Sequence, residues 1–179
     1  MIPTLHSERL VLRLPCPEDA EAIALYLDNI AVSGNLARVP HPYYLDDARA
    51  WLRTRRPDLP PHETNFAIEL AGEGLVGHVG YHVDGNGTAV IGYWLGEPFW
   101  NRGIMTEAAA MALDWYFGET DAQTIDSGVF AFNKASLAVQ KKLGFTEIGT
   151  SRLHCLARAA ELEHIDTRLT RDAWMERKR

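Results

Sequence analysis

The sequence predicts an α/β fold in which a single mixed, mostly antiparallel twisted sheet is flanked by helices on both faces. Apolar residues alternate every second position in some segments, which indicates strands, and recur at three and four residues in others, which indicates helices. The segments follow in the order strand, two helices, antiparallel strands, strand–turn–helix, strand, helix and closing strands. With 179 residues, we expect a single domain over residues 1–179.

Each predicted element has its own local pattern. Strands are predicted at residues 10–14, 66–70, 75–83, 90–95, 124–130, 145–149, 153–157 and 163–169. Helices are predicted from Pro17, around Trp51 after a cap at Asp46 or Asp47, from about Met105 to Phe117, and over residues 133–143. Residues 84–87 (DGNG) predict a hairpin turn, and residues 57–61 (PDLPP) predict a surface loop.

Composition excludes several classes of protein. The chain is 46% hydrophobic and 23% charged, as is typical of soluble globular proteins, and no apolar run reaches membrane-spanning length. A net charge of −6 argues against a general nucleic-acid surface. The N-terminus lacks the apolar core of a signal peptide, and the two cysteines, Cys16 and Cys155, are far apart. We therefore expect a cytoplasmic protein without membrane or nucleic-acid partners.

Residues 90–117 contain a short apolar strand, a polar turn at Asn101, Arg102 and Gly103, and then a helix that is apolar on most sides. The first turn of a helix has unpaired N–H groups and a positive dipole end, where an anion binds favourably. A glycine before the helix lets the anion approach the backbone. This pattern predicts a phosphate site, although an ordinary strand-to-helix turn would explain the glycine equally well.

Two other patterns carry less weight. Residues 72–77 (GEGLVG) spell a dinucleotide-binding glycine motif, but a strand follows them where that motif requires a helix. His78 and His82 lie four residues apart on a predicted strand, about 13 Å, which is too far to share one metal ion. We expect no metal site.

A second helix has clear capping signals. Asn133 can cap its start, Lys141 and Lys142 suit its negative end, and Gly144 fits the left-handed position after it. A well-capped helix alone would explain these residue types. It does not explain why this helix accompanies the glycine-turn helix after a neighbouring strand.

Five motifs, taken in order, resemble the GNAT acyltransferase superfamily, in particular the branch of ribosomal-protein N-acetyltransferases. They are residues 7–13 (SERLVLR), 17–20 (PEDA), 91–95 (IGYWL), 100–108 (WNRGIMTEA), and Asn133 with Ser136 leading to 143–145 (LGF). The resemblance covers residues 7–169. It implies a sheet that splays between the strands of Tyr93 and Asp126, with acetyl-CoA as co-substrate in the cleft.

The resemblance also implies roles for individual residues. The backbone of Arg102, Gly103, Ile104, Met105 and Thr106 would hold the pyrophosphate, Trp94 and Leu95 would present backbone groups to the pantetheine and thioester, and Asn133 would contact the pantetheine arm. Ser136 is the family's candidate for protonating the leaving thiolate. The chain departs from the superfamily at Met105, where glycine or alanine is usual, at Gln140, where many members have a tyrosine acid, and at Leu153, where relatives often have an acidic residue.

The expected reaction is direct acetyl transfer from acetyl-CoA to a primary amine, either a protein N-terminus or a small molecule. A base would take the amine proton, with Glu97, His154 and Glu163 as candidates. The alternative to an enzyme is a non-catalytic module that senses acyl-CoA or docks a partner. The sequence decides neither the acceptor nor the oligomeric state, for which a homodimer is one option.

Overall fold

A computed structural model of the chain describes residues 2–177. Eight strands form one sheet: β1 Leu5–His6, β2 Leu10–Arg13, β3 Asn65–Leu70, β4 Gly74–Val83, β5 Ala89–Leu95, β6 Thr124–Phe130, β7 Thr146–Cys155 and β8 Ala160–Thr170. Within the described residues, six α-helices accompany it: α1 Ala20–Leu27, α2 Ile30–Ser33, α3 Leu45–Leu52, α4 Ile104–Glu119, α5 Lys134–Leu143 and α6 Arg171–Glu176. The predicted architecture of a mixed sheet with helices is confirmed.

The strand order across the sheet is β1-β2-β3-β4-β5-β6-β8-β7. Every neighbouring pair is antiparallel except β5 and β6, which are parallel. Two buried clusters cover the sheet from opposite faces. One packs the apolar side of α4 on the central strands, and the other packs α1 and α3 on the opposite face.

Some boundaries differ from the predictions. Strand β7 is continuous over Thr146–Cys155, where two separate strands were predicted, because nine of its ten residues are exposed and carry no alternation of burial. Helix α3 begins after Tyr44 rather than at Asp46 or Asp47, and Asp47 accepts a 2.8 Å hydrogen bond from the Tyr44 N–H. The short helices α2 and α6 were not predicted, since four and six residues are too few to show a helical period.

Other local predictions are confirmed. Gly72 in the β3–β4 turn and Gly74 at the start of β4 both adopt left-handed conformations, so residues 72–77 lead into a strand and not a dinucleotide-binding helix. Asn133 caps α5 by accepting a hydrogen bond from the Ser136 N–H, and Gly144 adopts a φ of 94° after the helix. Within residues 2–177 no helix has the length and apolarity needed to cross a membrane.

Candidate functional site

The sheet opens between β5 and β6. These parallel strands pair only at Val90 and Asp126, and beyond that pair they diverge. The hydroxyl of Ser127 donates a 2.9 Å hydrogen bond to the Ile91 carbonyl where the divergence begins. The result is a V-shaped cleft, called the fork below, that opens towards Leu95 at the end of β5.

A buried glutamine on α5 anchors the closed end of the fork. The Gln140 side-chain N–H donates to the Ser127 hydroxyl at 2.9 Å, and its carbonyl oxygen accepts from the Thr167 hydroxyl at 2.8 Å. Gln140 is 1% exposed. In the superfamily that the sequence resembles, many members have a tyrosine acid at this position. Both ends of the Gln140 amide are hydrogen-bonded, so Gln140 serves instead as a structural link between α5, β6 and β8.

Strand β5 directs part of its backbone into the fork. The Gly96 N–H donates to the Val76 carbonyl in β4. In an antiparallel pair the backbone N–H and C=O groups of every second residue point towards the same neighbouring strand, so the backbone groups of Trp94 also point towards β4. Tyr93 and Leu95 face the opposite way. The Leu95 carbonyl accepts from the Trp100 indole N–H at 2.7 Å, while the N–H groups of Tyr93 and Leu95 point into the fork.

Residues 96–103 lead from the open end of β5 to the N-terminus of α4, which we take as the mouth of the fork. Gly103 precedes the helix with a φ of 71°, a left-handed conformation that glycine adopts without strain. The first backbone bond of the helix runs from the Glu107 N–H to the Gly103 carbonyl, so the N–H groups of Ile104, Met105 and Thr106 have no acceptor inside the helix. No side chain within residues 2–177 caps this end.

The side chains around this turn leave the helix end accessible. Ile104 and Met105 are buried in the core, at 1% and 7% exposure, so the larger residue at Met105 does not obstruct the backbone N–H groups. Arg102 is exposed and its guanidinium lies 5.8 Å from the centre of the Phe99 ring. A cation beside free N–H groups at a positive helix end makes a favourable anion site.

An ion pair offsets the one carboxylate in the first turn of α4. Glu107 would repel an anion at the helix end, but Arg9 contacts it at 2.7 Å and the Ser7 hydroxyl donates to it at 2.7 Å. This arrangement gives the N-terminal SERLVLR motif a structural role next to the fork.

On the α5 side of the fork, two hydroxyl groups meet. The Ser136 hydroxyl donates to the Tyr93 hydroxyl at 3.0 Å, and the Tyr93 hydroxyl donates to the Ser136 carbonyl at 3.3 Å. Burial raises the pKa of Tyr93, so its hydroxyl stays protonated and remains a hydrogen-bond donor at neutral pH. The Tyr93 hydroxyl was not singled out from the sequence, although its strand was.

On the opposite face, Trp94 covers a buried histidine. The His78 ring lies 5.3 Å from Trp94 and makes an edge contact with Trp51 at 4.9 Å. His78 is 3% exposed, and neither ring nitrogen has a hydrogen-bond partner among the described residues. Burial lowers the pKa of His78 to about 3, so the ring is neutral. His78 lies on β4, as the sequence predicted.

The three bases predicted from the sequence do not converge on one point. Glu97 begins the turn after β5 and accepts a hydrogen bond from Asn29, and His154 pairs with Glu161 at 3.2 Å near the tip of the β7–β8 hairpin. Glu163 is exposed on β8 and alternates with His164, so the two point to opposite faces. Among residues 2–177 no group of three or more histidine, cysteine, aspartate or glutamate side chains is arranged to hold a metal ion.

The β7–β8 hairpin closes one side of the face that carries Trp94. The Arg158 guanidinium donates to the Gly34 carbonyl at 2.7 Å, and the Leu156 N–H donates to the Ala37 carbonyl at 3.1 Å. The loop after α2 is thereby held against the β7–β8 hairpin.

Known proteins are similar to this chain in sequence and fold. A family model described as "Acetyltransferase (GNAT) domain" matches residues 9–146. The uncharacterized N-acetyltransferase YokL of Bacillus subtilis, derived from the SPbeta prophage, is 26% identical over 167 residues, which is 92% of each chain. The ribosomal-protein-S5-alanine acetyltransferase of Vibrio fischeri superposes with a TM-score of 0.75 at 22% identity, covering 97% of this chain and 99% of its own. The spermidine N-acetyltransferase of Vibrio cholerae, solved with CoA and spermine, gives a TM-score of 0.79 at 17% identity, covering 94% and 99%.

Proposed function

The chain belongs to the GNAT acetyltransferase family and is an acetyl-CoA-dependent N-acetyltransferase, and from this premise we propose how its residues bind acetyl-CoA and transfer the acetyl group to a primary amine. The observation that carries the proposal is the fork. It combines diverging parallel strands, inward backbone donors on β5 and an uncapped helix N-terminus at its mouth.

In the proposed complex, the pyrophosphate of acetyl-CoA binds the N–H groups of Ile104, Met105 and Thr106, with Arg102 beside it and Gly103 giving access to the backbone. The dipole of α4 favours this negative charge. The pantetheine arm runs into the fork past Asn133. Its thioester carbonyl then accepts hydrogen bonds from the N–H groups of β5.

The pairing of β5 refines the residues inferred from sequence. Leu95 directs its N–H into the fork, as does Tyr93, while the backbone of Trp94 is bonded to β4. We assign Tyr93 and Leu95 as donors that stabilise the negative oxygen formed during attack. Trp94 takes part through its indole, which lies on the face from which the acceptor approaches.

The amine nitrogen attacks the carbonyl carbon, the carbon–sulfur bond breaks, and the thiolate leaves towards α5. Ser136 protonates it there. The Tyr93 hydroxyl, 3.0 Å from the Ser136 oxygen, is placed to support that proton transfer. Positive charge from the start of α5 also favours the thiolate.

Transfer is expected to be direct, without an acetyl-enzyme. Cys155 is fully buried, with its sulfur 3.5 Å from the Leu36 carbonyl, and burial raises the pKa of the Cys16 thiol. Neither cysteine is therefore suited to act as a nucleophile. Intact-mass analysis after mixing with acetyl-CoA alone should show no stoichiometric acetyl adduct. An adduct on either cysteine that passes to an amine would contradict direct transfer.

The proposed acceptor is a primary amine, either a protein N-terminus or a small molecule. Among the structural neighbours, one is named for an alanine of a ribosomal protein and another for spermidine. The deciding experiment measures thiol release from acetyl-CoA with alanine-initiated peptides, other N-terminal peptides, spermidine and amino acids. The proposal expects steady turnover with at least one of these amines. Acetyl-CoA binding without turnover on any amine would favour the sensor or docking module instead.

Residues 1–179 are proposed to act as one domain, in the cytoplasm. The homodimer considered from the sequence stays a prediction, which light scattering tests. The edge strand β7, where Ile148 and Leu153 are 50% and 39% exposed, is the surface to mutate if a dimer forms.

A further inference from the structure

A histidine–aspartate pair lies beside the fork on the face opposite Ser136. His164 on β8 places its Nδ1 atom 2.8 Å from Asp166 Oδ1, and Asp166 also accepts a 2.9 Å hydrogen bond from the Ser151 hydroxyl. The His164 side chain is 16% exposed and its ring packs edge-on against Phe130. The imidazole is therefore held by a carboxylate, an aromatic ring and the sheet, while part of its side chain stays exposed.

The sequence of β6 makes room for this ring. A side chain at Gly128 would collide with the Cε1 atom of His164 and would lie close to its Nε2 atom. Gly128 is on β6, one of the two strands that form the fork. The imidazole thus lies directly over the strand that borders the proposed thioester site.

The hydrogen bond to Asp166 determines which nitrogen carries the proton. A carboxylate accepts a hydrogen bond, so the neutral ring places its proton on Nδ1 and leaves a lone pair on Nε2. No residue in the described part of the chain bonds to Nε2. This is the tautomer in which a histidine takes a proton from a substrate, oriented by a carboxylate behind it.

Strand register puts this nitrogen on the acceptor side. Side chains of paired residues on neighbouring strands lie on the same face of the sheet, as do side chains two residues apart on one strand. Val90 pairs with Asp126, and Phe130 pairs with His164, so His164 lies on the same face as Trp94. Tyr93 and Ser136 lie on the other face, where α5 packs. An amine that enters past Trp94 would meet the thioester from the His164 side, while the thiolate leaves towards Ser136.

We propose that His164 is the catalytic base and that Asp166 is its positioning residue, an assignment that rests on the proposed acetyl transfer. Nε2 of His164 takes the proton from the attacking amine nitrogen as the nitrogen–carbon bond forms. The carbon–sulfur bond breaks and the thiolate receives a proton from Ser136. His164 then releases its proton to solvent, and Ser136 takes a proton back from solvent. The products are therefore the acetylated amine and CoA thiol.

The test compares the His164–Asp166 pair with an exposed histidine at the far edge of the sheet. His164→Gln should lower kcat by about 10²–10⁴ while the acetyl-CoA affinity measured by calorimetry stays within about two-fold. His6→Gln, which removes an exposed histidine on the edge strand β1, should leave kcat unchanged. Asp166→Asn should lower kcat by about 10-fold or more without weakening acetyl-CoA binding, because it no longer fixes the tautomer. The acceptors are an alanine-initiated hexapeptide and spermidine.

Acetyl-CoA binding shows that each variant is folded. An active wild type whose His164→Gln and Asp166→Asn variants keep the wild-type kcat overturns the assignment of the base and leaves the acetyl transfer intact. If the wild type binds acetyl-CoA but acetylates neither the two acceptors nor any amine of the panel, both proposals are overturned. Selective loss of kcat in the His164 and Asp166 variants supports the assignment.

Discussion

The hydroxyl oxygen of Ser136 lies 3.0 Å from the phenolic oxygen of Tyr93, across the space between α5 and β5. The cap of α5 is a separate interaction, in which the Asn133 side chain accepts from the Ser136 N–H. The hydroxyl of Ser136 is therefore not needed to cap the helix, and its role in catalysis can be tested without removing the cap.

Ser136→Ala should lower kcat by about 10²-fold, the low end for loss of a proton donor because water partly replaces the hydroxyl. Tyr93→Phe, which removes only the supporting hydroxyl, should have a smaller effect in the same direction. Neither change should alter acetyl-CoA affinity. Thr170→Ala, which removes the side chain that caps α6, serves as the control and should lower the melting temperature but not kcat. Wild-type turnover in folded Ser136→Ala enzyme would remove Ser136 from the mechanism.

Gly103→Val should weaken acetyl-CoA binding by at least about 10-fold, because a branched side chain does not tolerate the φ of 71° on which the start of α4 depends. Gly72→Val is a matched control. Gly72 has a φ of 81° with open space around it, but it lies in the β3–β4 turn. Calorimetry should find weaker binding only in the Gly103 variant. Equal affinities in both variants would argue against the pyrophosphate site.

Gln140→Met should destabilise the protein by about 1–3 kcal/mol, because the Thr167 hydroxyl loses its acceptor and the Ser127 hydroxyl loses a donor in a buried site. The exposed Gln123, which bonds to the Asp121 carbonyl, gives the control Gln123→Met, with little expected change. Urea denaturation measures both. A Gln140 variant as stable as the wild type would contradict the anchoring role.

His78 should make the protein sensitive to acid. The pKa of His78 is about 3 in the folded protein, against 6.5 for a histidine that is not buried. Between these two pH values the unfolded chain binds a proton at His78 that the folded protein does not bind, so the stability of the fold decreases as the pH is lowered. Between pH 7 and pH 5 this contributes about 2 kcal/mol of lost stability. His78→Phe, which keeps a ring against Trp51 and Trp94, should remove that part of the pH dependence.

Urea denaturation of the wild type and His78→Phe at both pH values measures the difference. The exposed His6, changed to Gln, controls for the removal of a histidine as such. An identical loss of stability from pH 7 to pH 5 in the wild type and the His78 variant would show that His78 is not buried in its neutral form.

Much of the fold was predictable because local patterns determine it. The helix after Gly103 and the capped helix after Asn133 follow from spacing and from residue types at their ends. The exposed β7 was misjudged because an edge strand with two polar faces has no burial period. Predictions of single residues were limited to those named by motifs.

Side-chain networks across distant segments could not be predicted in the same way. The link from Gln140 to Ser127 and Thr167 joins three elements through long-range register. The His164–Asp166 pair did leave a signal, since residues two apart on a strand share a face, but nothing in the sequence indicated that this face borders β5 and β6.

The central claim is that the fork between β5 and β6 holds the thioester of acetyl-CoA. A crystal structure of the protein with acetyl-CoA tests it most directly. We predict the pyrophosphate within hydrogen-bond distance of the N–H groups of Ile104, Met105 and Thr106, and the thioester carbonyl on the N–H of Tyr93 or Leu95. Acetyl-CoA bound elsewhere, with no contact to the start of α4, would contradict the account.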